Sequence, residues 1–227
     1  MIRPGPVTCV AALVFPAALA FAGYALAGDA RPYELPAAGS YELPVIDRLS
    51  PHQLLDSTGE PAAVLDLSSG QCEVVSFTYG GCPDAKGCPL ILSSLRRLDQ
   101  ALAEREELSG RVRLVSVSFD PERDTPEQMA MLRSHMKPRG DWRFLTAPSE
   151  QELTQVLDDF GQNTVPLTNA DGVPLGIFRH VTKVFLVDDQ GAVRNIYSSD
   201  FLDAEILLRD IETLLLAPDF RSASAPD

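Results

Sequence analysis

The chain has 227 residues, 45% of them hydrophobic and 22% charged, with a formal net charge of -13. That length suits one domain of ordinary size with extra segments at its ends. The acidic balance argues against non-specific nucleic-acid binding, which needs a basic surface.

The chain opens on an address signal. Arg3 supplies a small positive charge, Val7 to Ala27 is almost wholly apolar, and Ala25-Leu26-Ala27 offers small residues for cleavage. Residues 1–27 therefore read as an export signal cleaved before Gly28, or as a retained anchor, because roughly twenty apolar residues span a bilayer. Either reading places the rest of the chain in a bacterial periplasm, free or tethered to the inner membrane. Cys9 lies inside this stretch with no lipobox around it and reads as a small apolar filler.

Residues 28–44 are rich in Pro and repeat Tyr-Glu-Leu-Pro at Tyr33 to Pro36 and Tyr41 to Pro44. Prolines at this density predict an extended linker. The folded domain is expected over 45–217, with 218–227 a flexible tail.

Two short apolar runs, Ala63 to Leu67 and Val74 to Tyr79, predict strands. Gly80-Gly81-Cys82-Pro83-Asp84-Ala85-Lys86-Gly87-Cys88-Pro89 follows, and Leu90, Ile91, Leu95, Leu98 and Leu102 then recur at helical spacing. Pro89 falls in the first turn, where proline is tolerated. Arg111 to Phe119 alternates as a strand, and Thr125-Pro126-Glu127-Gln128 opens a helix with an N-cap pattern. Trp142 to Leu145 predicts a strand, and Ser149 with Glu152 a capping box before a helix to Gly161. A loop over Gln162 to Arg179 leads to strand Lys183 to Val187, and Asp188-Asp189-Gln190-Gly191 turns the chain into Ala192 to Tyr197. Ala204 to Leu216 is the last predicted helix. This order describes an α/β fold, a thioredoxin-like mixed sheet with helices on both faces.

With Cys9 set aside, Cys72, Cys82 and Cys88 remain, an odd number in a compartment where disulfides usually form. Cys72 precedes a strand that separates it from Cys82 by roughly 20 Å at about 3.3 Å per residue. A disulfide needs Cα atoms within about 7 Å, so Cys72 reads as a buried apolar residue. Cys82 and Cys88 flank a strand-to-helix loop, where the helix dipole and free amides favour thiolate over thiol. Thiolates select soft metals and an added imidazole accommodates Cu(II), whereas the plainer reading of the pair is a loop disulfide. His180 precedes the strand Lys183 to Val187, which the inferred topology starts beside the cysteine loop, and so becomes the third ligand. His52 and His135 have no such setting and read as surface residues.

Phe77-Thr78-Tyr79-Gly80-Gly81-Cys82 through Cys88-Pro89-Leu90 resembles the copper loop of the Sco/SenC family. Val115 to Pro126, with Asp120-Pro121-Glu122-Arg123-Asp124-Thr125 inside it, is similar to that family's strand-to-helix signature. His180, shortly before Val184-Phe185-Leu186-Val187-Asp188, matches its histidine ligand. The resemblance covers roughly Pro44 to Leu216. It implies a copper metallochaperone with Cys82, Cys88 and His180 as metal ligands, Asp120 beside them, and copper delivered to the dinuclear site of cytochrome c oxidase subunit II or to another copper protein. A thioredoxin-like reductant is a further implied partner. Better-known members keep three residues between the cysteines, whereas five stand there in this chain. A thiol-disulfide oxidoreductase, with Cys82 attacking a client disulfide and Cys88 resolving the intermediate, and a copper or redox sensor are the alternatives.

Overall fold

The structure, a computed structural model, describes residues 34–84 and 87–217. From Leu35 on the described chain forms one compact unit. The apolar leader and the C-terminal tail lie outside the described residues, and no helix among those described is long and apolar enough to cross a membrane.

The elements in chain order are β1 (Asp47–Arg48), β2 (His52–Leu55), β3 (Pro61–Val64), β4 (Cys72–Thr78), α1 (Cys88–Ala103), β5 (Val112–Ser118), α2 (Pro126–Met136), β6 (Trp142–Leu145), α3 (Glu150–Asp159), β7 (Thr164–Thr168), β8 (Pro174–His180), β9 (Lys183–Asp188), β10 (Ala192–Ser198) and α4 (Ala204–Leu216). Six strands form the main sheet in the order β1-β10-β9-β4-β5-β6. Strands β4, β5 and β6 run parallel, while β9 is antiparallel to β4 and β10 antiparallel to β9. This is the mixed, thioredoxin-like sheet expected from the order of elements.

Alternate residues of β4 face opposite sides of that sheet. Cys72 and Val74 pack with Ile91, Leu95 and Leu98 of α1, Met129 of α2 and Ile211 of α4. Val75 and Phe77 pack with Leu153 and Val156 of α3 and with Phe185. The helices thus cover both faces, and β4 is buried along its whole length, including its polar residues Glu73, Ser76 and Thr78. Ser149 caps α3 as its sequence pattern suggests: its Oγ accepts from Glu152 N and donates to the Glu152 carboxylate. At α2 the Thr125 hydroxyl makes no cap and instead donates to Glu127 Oε2 at 2.7 Å.

Two hairpins depart from the sequence expectation. β2 and β3 pair antiparallel as a separate hairpin between β1 and β4, and the β3 strand stops at Val64 rather than running to Leu67, because Leu65 adopts φ +64. The stretch read as a loop from Gln162 is the hairpin β7–β8, whose register shifts between Pro166 and Thr168. Its prolines, glycines and exposed side chains hide the alternation that marks a strand.

Residues 35–44 are attached to the domain, with a turn over residues 37–40. Tyr41 Oη donates to Asp210 Oδ1 at 2.5 Å, Gly39 N to Thr213 Oγ1 at 3.1 Å, and Leu43 packs on the core. Asp210 also accepts from Tyr197 Oη at 2.6 Å and Asn195 Nδ2 at 2.8 Å. Burial, together with the hydrogen bond to Asp210, pushes the Tyr41 hydroxyl up to about 12. Asp210→Ala strands these donors and is expected to lower stability by about 2 kcal/mol in urea denaturation, with faster proteolysis at Tyr41. Unchanged cleavage would show that the segment is held by packing alone.

Candidate metal centre

Strand β4 ends at Thr78, and Tyr79, Gly80 and Gly81 lead to Cys82 beyond its carboxyl end. The chain re-enters regular structure at Cys88, the first residue of α1, with Gly87 as N-cap and Pro89 in the first turn. Strand β9 pairs antiparallel with β4, placing Val184 opposite Ser76. The residues just before β9 therefore lie beside the end of β4. His180, the last residue of β8, is carried there by this register.

The ligand atoms of Cys82, Cys88 and His180 all lie within 4.8 Å of one another. This is the one such cluster of His, Cys, Asp and Glu among the described residues. Cys88 is buried at 2% exposure, while Cys82 and His180 are half-buried, so the cluster opens at the protein's rim. Two sulfurs and one imidazole nitrogen at this spacing suit a soft metal ion in three-coordination. Five intervening residues do not keep the two thiols apart.

His180 Nδ1 lies 3.1 Å from the carbonyl oxygen of Phe178, which only accepts, so Nδ1 carries the proton and Nε2 is left for a metal. The ring packs on Phe119 at 5.1 Å and Tyr79 at 5.7 Å between centroids, and Phe178 stands against both of those rings. This aromatic wall fixes the imidazole plane. Tyr79 brings its hydroxyl into the interior beside the Phe178 backbone and Cys82. Tyr79 and Phe119 are visible in the sequence, but their role as a wall for His180 emerges only once β8 is in place.

The helix terminus does not leave Cys88 as a ready thiolate. Burial, followed by the neighbouring Cys82, pushes its thiol up to about 12, against opposing backbone hydrogen bonds. Desolvation outweighs the amides at the start of α1. Metal binding supplies the positive charge that such a buried thiol lacks, releasing its proton.

Asp120 is buried at the end of β5, with Oδ2 paired to Arg123 Nη1 at 3.1 Å, and its carboxylate lies outside the three-ligand cluster. Cys72 is free and fully buried under α1 and α4, with its thiol pushed up to about 12 by burial. His135 is exposed on α2 with Nδ1 on Met131 O. His52 departs from its surface reading, because its Nε2 pairs with Asp159 Oδ2 at 2.8 Å in a part-buried setting.

A thioredoxin-like sheet bearing two thiols and an imidazole beyond its carboxyl edge defines a protein built to hold a soft metal ion. A family model described as SCO1/SenC matches residues 45–216, and the chain belongs to that family. It is 34% identical over 121 residues to a Stutzerimonas stutzeri protein named "Putative copper-binding protein", a match covering 53% of this chain and 55% of that relative. The match thus spans little more than half of that relative's length. Among solved structures, a SCO1/SenC family lipoprotein from Bacillus anthracis superposes with a TM-score of 0.60 at 27% identity, covering 73% of this chain and 93% of that one. Bradyrhizobium japonicum ScoI with copper bound superposes with a TM-score of 0.59 at 23% identity, covering 73% and 98%, and shares the fold.

Proposed function

We propose that this protein carries copper as its cargo on Cys82, Cys88 and His180, and delivers it to the dinuclear copper site of cytochrome c oxidase subunit II. The observation that carries the reading is the convergence of two sulfurs and one imidazole nitrogen within 4.8 Å at an accessible rim. Membership of the SCO1/SenC family and the copper in a relative's name support it. Two thiolates serve Cu(I), and the imidazole extends the site to Cu(II). Delivery proceeds by ligand exchange, each client cysteine displacing one carrier ligand in turn. Cys82 and His180, being half-buried, are the ligands a client reaches first. The apolar segment over residues 7–27 supports export to the periplasm, as a soluble or an anchored protein.

A second reading rests on the same two sulfurs. Cys82 attacks a client disulfide, Cys88 resolves the mixed disulfide, and the client gains two thiols while Cys82 and Cys88 become a disulfide. The test is to load the full chain with one equivalent of copper, mix it with the metal-free copper domain of subunit II, separate the two and measure copper in each. Copper moving to the client only from the loaded protein supports delivery. Loss of copper from the carrier on desalting, with rapid reduction of the client's oxidised cysteines, would replace it with thiol-disulfide exchange.

A further inference from the structure

Asp124 is 6% exposed, and its buried carboxylate is engaged by two groups from different segments. Its Oδ2 accepts from Gly80 N at 2.9 Å and from Ser118 Oγ at 2.5 Å, and Ser118 Oγ in turn accepts from Asp120 N at 3.1 Å. Gly80 stands at the root of the loop that carries Cys82. A Cβ there would lie 2.7 Å from Asp124 Oδ1, so the carboxylate fills the space that only glycine leaves open.

The preceding residue reaches the opposite way. Arg123 Nη1 bonds Asp120 Oδ2 at 3.1 Å and Oδ1 at 3.3 Å. Its guanidinium covers Gly176 of β8, where a Cβ would lie 2.8 Å from Arg123 Cζ. Gly176 has φ +69 and sits on the strand that ends at His180. The two arms also run side by side, since a Cβ on Gly81 would meet Gly176 O at 3.6 Å. One short turn after β5 thus hydrogen-bonds the root of the cysteine loop through Asp124 and packs on the histidine hairpin through Arg123.

We propose that Asp124 and Arg123 are positioning residues that set the separation of Cys82 from His180, and so the geometry offered to the metal. This rests on the copper reading above. Neither side chain is a ligand in this scheme. Asp124 acts through the Gly80 amide and Arg123 through the backbone at Gly176.

The experiment uses the full chain, unaltered and as Asp124→Ala, Asp124→Asn, Arg123→Ala and Asp210→Ala. Two quantities are followed: hydrogen exchange of the Gly80 amide in the metal-free protein, and the thiolate-to-Cu(II) charge-transfer band after one equivalent of Cu(II). Asp124→Ala is expected to speed Gly80 exchange roughly tenfold, the equivalent of one charge-assisted hydrogen bond, and to shift the band. Asp124→Asn keeps an acceptor for Gly80 N and restores most of both. Arg123→Ala shifts the band less, because its guanidinium is half-exposed. Asp210→Ala loses stability far from the site and leaves the band in place. An unmoved band and unchanged Gly80 exchange in Asp124→Ala would overturn the proposal, as would an equal shift in Asp210→Ala. Failure of the unaltered protein to bind copper would instead refute the carrier reading. The positioning role is then decided in the metal-free protein by Gly80 exchange and by proton contacts between His180 and Cys82.

Discussion

Replacing Cys88 with serine is expected to lower copper affinity by roughly 100- to 1,000-fold. Structural zinc sites of thiolates and imidazoles, the nearest calibrated comparison, hold their ion with about 10 to 16 kcal/mol spread over a few ligands, and every 1.4 kcal/mol is about tenfold. Serine occupies almost the same volume, so the 2% exposed position keeps its packing and the loss reports on the ligand. Cys82→Ser is expected to match it. His180→Ala should weaken Cu(II) more than Cu(I), because Cu(I) is served by the two sulfurs while the imidazole suits the harder ion. Competition titration with a Cu(I) chelator and the intensity of the Cu(II) charge-transfer band measure the two states separately. Cys72→Ser is the internal comparison: Cys72 lies outside the ligand cluster and should leave both readouts unchanged. Copper held equally well by Cys88→Ser would remove α1 from the site and leave the convergence of the three side chains without a purpose.

The second large effect concerns stability. Glu73 lies in β4 at 0% exposure, with Oε2 3.5 Å from Arg113 Nη1 and 3.3 Å from Leu65 N. Burial dominates over the nearby Arg113 charge and pushes its carboxyl from 4.5 up to about 7. A carboxyl raised in the folded state stabilises the fold fully below its unfolded pKa. That contribution fades as pH rises from 4.5 and is gone above 7. The displacement corresponds to about 3 kcal/mol, at about 1.4 kcal/mol per unit. Glu73→Gln keeps an acceptor for the Leu65 N–H, and Arg113 retains Asp141 Oδ2 at 3.1 Å and Asp66 O at 3.0 Å. The expected result is a difference in unfolding free energy between the two proteins that moves by about 3 kcal/mol in favour of glutamine between pH 4 and pH 8. A difference that stays constant across that range would mean that Arg113 holds Glu73 ionised throughout.

Glu73 also accounts for a local irregularity. Leu65 has φ +64, a conformation that costs non-glycine residues about 1 kcal/mol or more. Its amide donates to the buried Glu73 carboxyl from that conformation of the turn after β3. The expected strand from Ala63 to Leu67 is therefore cut short by a polar contact whose other half lies eight residues on.

What could be read from the sequence alone follows a physical rule. Helices α1, α3 and α4 and strands β4, β5, β6 and β9 show their periodicity because each buries a continuous face, and burial selects apolar residues at fixed spacing. Cys82 and Cys88 announce themselves through the strand, glycine and proline signals around them. His180 needed one more step, the inference that its following strand pairs beside β4, and that pairing is present. The hairpin β7–β8 was not legible, because Val165, Val173 and Leu175 are exposed and its prolines interrupt the ladder. Nor were the contacts of Asp124 with Gly80, Arg123 with Gly176, Asp210 with Tyr41, or Glu73 with Leu65. A charged residue at a buried position carries no periodic signature, and its partner is chosen by which distant backbone group the fold brings within about 3 Å. Sequence by itself determined the class of fold and which thiols and imidazole are candidate ligands, since both follow from local chemistry and hydrophobic pattern. Only the tertiary structure decided which atoms hold those ligands in place, because that depends on strand register and on the turns that no local preference specifies.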